Sequence, residues 1–158
     1  MKDVFDVIAQ AKRGEKPDVN QRQPLSLVGR DDLFLEQLYA PRLRPKCDPL
    51  ERSGKLVDPV TEIRDRALSS SRLVIVNEGH DDSQTRAFIL ALVTPLHDIG
   101  FSVYAAETLY ADVGTHAPKW PRLSDGFYSI EPTYGELIRR ARALDLAFVP
   151  YEAERRAD

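Results

Sequence analysis

Glu78 and His80 stand one glycine apart, and Arg86, Glu107 and Glu152 follow them along the chain. A neutral imidazole, with an ordinary pKa of about 6.5, can take a proton from water, and a carboxylate beside it orients the ring and stabilises its charged form. Glu107 is the natural candidate for that carboxylate, or for holding the water itself. Arg86 offers a cation to an anionic or carbonyl oxygen, or neutralises the acids. A plainer arrangement uses the same atoms: Glu78 and His80 cap the next helix and pair with Arg86. One imidazole with two or three carboxylates would also suit a divalent cation. No second histidine lies at helical spacing from His80, and His116 is the only other ring placed to swing in. His97 falls opposite Phe88 on its helix and is expected in solvent.

These residues need elements that bring them together. Leu73-Val74-Ile75-Val76 is short, β-branched and continuous, the pattern of a strand covered on both faces. Glu78 and His80 then sit just beyond its end. Asp81, Asp82 and Ser83 offer caps for an amphipathic helix carrying Phe88, Leu92, Leu96 and Ile99, which Gly100 ends. Residues 102 to 106 read as a second strand delivering Glu107, and 146 to 150 as a third delivering Glu152. Ligands of open α/β sheets bind beyond the carboxyl ends of the strands, where all these acids fall. The expected fold is therefore α/β: a parallel sheet with βαβ crossovers, covered by helices.

Residues 108 to 131 leave the second strand without regular structure and carry Tyr110, His116, Trp120, Phe127 and Tyr128. A loop of that length is usually functional. It is expected to hang over the site as a lid or specificity wall. Tyr128, Trp120 and Glu131 join Glu152 as candidate substrate contacts. Glu131-Pro132-Thr133 starts the helix that leads to the third strand, with Leu137, Ile138, Ala141 and Leu144 facing the sheet.

The first part of the chain, residues 1 to 57, reads as a helical and irregular segment ahead of an α/β domain at 58 to 158. A short helix is expected over 2 to 13, then a loop over 14 to 30 carrying Pro17, Pro24 and Gly29. Asp31 and Asp32 can cap a helix from Leu33 to Tyr39, and three prolines keep 41 to 57 extended. Asp58-Pro59 opens a helix that runs to Ser69.

Composition narrows the classes. At 158 residues, 42% hydrophobic and 30% charged, the chain suits one globular domain. A net charge of −3 with dispersed basic residues gives no reason to expect nucleic acid. Cys47 is alone, which leaves no disulfide within the chain. No apolar run approaches the roughly 18 residues of a membrane span, and the acidic N-terminus does not read as a signal peptide. A cytoplasmic protein acting on a small molecule is expected, with no cofactor demanded beyond an optional divalent metal. Three parallel strands leave both sheet edges open. That points to a homo-oligomer or to the first half of a larger domain.

Three stretches together, Val76-Asn77-Glu78-Gly79-His80, Ile99-Gly100-Phe101 and Ala105-Ala106-Glu107, resemble the erythromycin esterase-like superfamily, which takes in ChaN-like haem-binding and TIKI/TraB-type proteins. The runs Phe127-Tyr128 to Glu131-Pro132, Glu136 to Arg139 and Val149 to Glu152 are similar to uncharacterised bacterial members of that group. The likeness covers roughly residues 60 to 153. It implies that His80 activates water in an esterase-type hydrolysis, with Glu78 and Glu107 as its acidic partners and Arg86 as a looser match. Esterase-type members also draw site residues from later strands. Haem binding is the alternative the resemblance carries, although the extra histidines expected near the turn are absent at Asp81-Asp82-Ser83.

Overall fold

A computed structural model describes residues 4–34, 56–70, 72–110 and 120–151. Within them are five α-helices and a small two-stranded parallel sheet, a mixed and helix-rich α/β architecture. The helices are α1 (Val4–Lys12), α2 (Val19–Leu27), α3 (Pro59–Ser70), α4 (Ser83–Asp98) and α5 (Pro132–Ala143), and the strands are β1 (Val103–Ala106) and β2 (Ala147–Pro150).

Helix starts follow local chemistry. Asp58 accepts the amide of Thr61 at 2.7 Å, which fixes the first turn of α3 behind Pro59. Asp82 caps α4 through the amide of Gln84. Glu131 caps α5 through the amides of Thr133 and Tyr134, with Pro132 at the first helical position. At the far end of α4, Gly100 adopts φ +101°, a conformation that side-chained residues rarely adopt.

The loop expected over 14 to 30 is largely helix α2. Asp18 and Gln21 form a reciprocal capping box, each side chain accepting the other's backbone amide. Pro24 lies inside this helix. A proline inside a helix costs about 3 kcal/mol, more than the roughly 1 kcal/mol of a cap, so burial of the helix's inner face must add to the cap. Leu25 is fully buried and meets Val7 and Phe34 in a small core of its own. Asp31–Leu33 makes a single 3-10 turn, and the rest of the helix expected to Tyr39 lies outside the described residues.

The main core is built on α5. Tyr134, Leu137, Ile138 and Ala141 recur every three to four residues and are all buried, joined by Val93 of α4 and by Leu109, Tyr128 and Leu146. Burial of a side chain the size of Leu137 or Ile138 contributes about 1.5–3 kcal/mol. Of the lid expected over 108–131, residues 111–119 lie outside the described residues, and Tyr128 packs into this core. Tyr128, Ser129 and Asp125 are buried there, and Arg142 of α5 holds Asp125 at 2.7 Å. Gly126 makes the tuck feasible, since a Cβ there would sit 2.5 Å from the carbonyl oxygen of Thr108.

β1 and β2 pair in parallel, Val103 with Ala147 through Ala106 with Pro150. Both alternate exposed and partly covered positions. Tyr104, Ala106 and Phe148 face the core, while Val103 and Val149 are exposed on the opposite side. The strand expected at Leu73–Val76 has no ladder: residues 73 to 79 are neither helix nor strand, and Leu73 and Ile75 are exposed. An apolar β-branched run favours a strand, but pairing also needs a neighbouring edge at hydrogen-bonding distance. Here a cleft of about 830 Å³ intervenes, lined by residues 72–78 on one side and 99–107 on the other.

Candidate functional site

One end of that cleft holds His80, Glu107, Glu78 and Tyr128. Glu107 leaves the end of β1, and the turn after Glu78 presents His80 to it. His80 Nε2 lies 3.7 Å from Glu107 Oε2, and both side chains are nearly half exposed. That separation is too long for a direct hydrogen bond but leaves room for a water within reach of both atoms. The imidazole stacks on the Tyr128 ring, with centroids 5.4 Å apart and an interplanar angle of 22°.

Beneath them lies Arg86, on the first turns of α4 and fully buried. Its Nε donates to Glu78 Oε1 at 2.7 Å, and its Nη2 to the backbone carbonyl of His80 at 3.1 Å. Its Nη1 stands 3.5 Å from Glu131 Oε2, an ion-pair distance without hydrogen-bond geometry. The guanidinium also lies over the Tyr128 ring at 4.5 Å from its centre. A cation removed from water is stable only when paired, and two glutamates do that here. Arg86 is thus spent on holding the Glu78–His80 turn from below, and no part of it is open to a ligand.

The remaining predicted contacts divide. Tyr128 reaches the site and forms its floor. Glu131 is buried behind Arg86, its oxygens occupied by the amides of α5. Trp120 is exposed and borders a separate shallow groove with Pro121, Glu131 and Arg139. Glu152 and His116 lie outside the described residues. His97 is half-buried where solvent was expected, because the packed stripe of α4 runs through Leu92, Val93 and Leu96 and leaves it lining the cleft's margin.

Two residues of the N-terminal segment support the site: Gln23, which the sequence does not mark, and Asp31, expected only as a cap for a helix at Leu33. Gln23 of α2 donates to the Tyr128 hydroxyl at 2.6 Å. Asp31, buried, accepts the amide of Ser83 at the start of α4 at 3.0 Å. The Asp18–Gln21 capping box signals the helix that carries Gln23, but nothing local signals its distant partner. Tyr134 lies under the same corner and donates its hydroxyl to the backbone carbonyl of Glu107 at 2.9 Å. Burial pushes the phenols of Tyr104, Tyr128 and Tyr134 above the usual tyrosine range.

Chemically, the exposed pair His80–Glu107 can hold and deprotonate a water, and the buried charges fix its geometry. Among the described residues, no three His, Cys, Asp or Glu side chains converge as a metal-binding set, and no helix is long and apolar enough to cross a membrane. Comparison with known proteins finds no matching family model, curated protein or solved structure.

Proposed function

We propose that this chain is a hydrolase-type domain of the erythromycin esterase-like kind, in which His80 activates water against an ester or related bond. The observation that carries this reading is the His80–Glu107 pair, 3.7 Å apart and half exposed at the polar end of a cleft. A water within reach of both gives its proton to His80 Nε2 as its oxygen attacks the substrate carbonyl. The imidazolium so formed is stabilised by Glu107 and returns the proton to the leaving alkoxide. Glu78 does not touch the water in this scheme. It anchors the turn through Arg86, so that His80 approaches Glu107 from a fixed direction. The same reading extends the fold to βαβ crossovers on either side of β1, with a small-molecule substrate entering beyond the strand ends.

The test is hydrolysis of p-nitrophenyl acetate and a panel of lactones by the full chain, by His80→Gln and by Glu107→Gln. Loss of general-base catalysis should lower kcat/KM by about 10²–10⁴-fold in His80→Gln. Thermal stability should change little, because the ring is nearly half exposed. Full activity in His80→Gln, or none in the unaltered chain across the panel, overturns the proposal.

A further inference from the structure

The cleft has unusual walls. Consecutive residues of a strand point to alternate faces, so a cavity lined by every residue from 99 to 107 lies along the edge of β1. The opposite wall is likewise every residue from Arg72 to Glu78. The other edge of β1 is taken by β2. Val103 pairs with Ala147, whose amide donates to the carbonyl of Ser102. In a parallel ladder that phase turns Val103 and Ala105 the other way, with their N–H and C=O groups toward the cleft. Among the described residues, no backbone hydrogen bond joins residues 73–76 to this edge.

We propose that Leu73–Val76 closes onto the free edge of β1 as a third parallel strand, sealing the cleft and leaving a small pocket at its His80 end. Three observations carry this. First, the segment already has the pleat it needs: Leu73 and Ile75 are exposed while Val74 and Val76 are partly covered, the alternation seen in Val103–Ala106 and Ala147–Pro150. Closure is a sideways movement with no rotation of side chains between faces. Second, one end is already fixed. Arg86 holds Glu78 and the His80 carbonyl, and His80 faces Glu107, so the segment pivots about that corner and runs parallel to β1. Third, both walls carry backbone groups that require partners once water is excluded.

That last requirement decides among occupants. An aliphatic ligand would fill the volume but strand the amides and carbonyls of both walls. A foreign peptide would satisfy them, yet it competes with a segment tethered beside the edge at an effective concentration on the order of millimolar. The chain's own strand prevails. Closure also confines any substrate to the corner of His80 and Glu107 and excludes bulky groups from the length of the slot.

Amide hydrogen exchange of the full chain, read residue by residue by NMR without substrate, tests this independently of the hydrolytic reading. The amides of Val74 and Val76 and those of Val103 and Ala105 should exchange about 100-fold or more slowly than unstructured amides, while the Ile75 amide, turned to the outer edge, should not. Val76→Pro, which removes an amide facing β1, should release Val103 and Ala105 while the amides bonded between β1 and β2 stay protected. Exchange of the Val74 and Val76 amides at the unstructured rate in the unaltered chain overturns the proposal, whether or not the proline variant folds. So does protection that arises only on adding an alternating Val-Thr hexapeptide, which would assign the edge to a foreign strand.

Discussion

The His80 imidazole stacks on the Tyr128 ring, and the hydroxyl of that same tyrosine accepts from Gln23, 105 positions earlier in the chain. A residue of α2 thereby sets the plane on which the proposed base rests. The stack limits rotation of the imidazole about its own bonds and keeps Nε2 directed at Glu107. Helix α2 is part of the site's support even though it contributes no group to its surface.

Gln23→Leu should therefore loosen the site without removing any exposed group. The buried Tyr128 hydroxyl loses its partner, at a cost of about 1–3 kcal/mol in unfolding free energy. The Gln23 bond also opposes the effect of burial on that phenol. Its removal should move the ionisation of Tyr128 further upward. Denaturant titration and phenolate absorbance read the two effects separately. An unchanged unfolding midpoint would mean that the bond contributes nothing in solution.

Arg86→Met tests whether the guanidinium is structural. The substitution keeps much of the volume but leaves Glu78 and Glu131 without their shared cation. Breaking a buried pair in this way costs about 3–5 kcal/mol. In the double variant Arg86→Met, Glu131→Gln, the uncompensated charge behind α5 is gone, so part of that loss should return. Equal stability of Arg86→Met and the unaltered chain would place the arginine in solvent.

The three buried phenols predict the behaviour of the fold in alkali. Desolvation raises Tyr104, Tyr128 and Tyr134 above the ordinary tyrosine value of about 10. In the unfolded chain they ionise near that ordinary value, so above it the unfolded state binds fewer protons than the folded one. Stability then falls with rising pH. Their contribution is complete below about pH 10 and is lost as pH climbs through the raised values. Melting temperature followed from pH 8 to 12, with absorbance at 295 nm alongside, should show unfolding and the late phenolate signal arriving together. Ionisation of all six tyrosines in one step, before any unfolding, would contradict the burial of these three.

Helix boundaries in this chain were written locally, and so they could be read locally. Asp58-Pro59, Asp82-Ser83, Glu131-Pro132 and Gly100 each act through bonds or dihedral limits spanning only a few residues. The apolar spacing of α5 likewise gave its buried face. The polar composition and the prolines of 14 to 30 read as loop, while the Asp18–Gln21 capping box that starts helix α2 is the local signal of the helix. The two strands that do pair, at 103–106 and 147–150, were recognisable by their β-branched and aromatic residues and by the helix between them.

Tertiary structure decided the rest. Arg86 reads as a cation for a ligand oxygen or for the acids beside it; only the convergence of Glu78, Glu131 and the Tyr128 ring buries it. Glu131 and Trp120 bound one short stretch, yet one is sealed behind the arginine and the other faces water, because the 3-10 turns Leu123–Asp125 and Phe127–Ile130 redirect the chain between them. Leu73–Val76 has the composition of a strand, but composition cannot supply the partner edge that a ladder requires. Residue types and short spacings determine which groups are available and where helices begin. Which groups meet depends on long-range packing, where a contact such as Gln23 with Tyr128 leaves no mark near either residue.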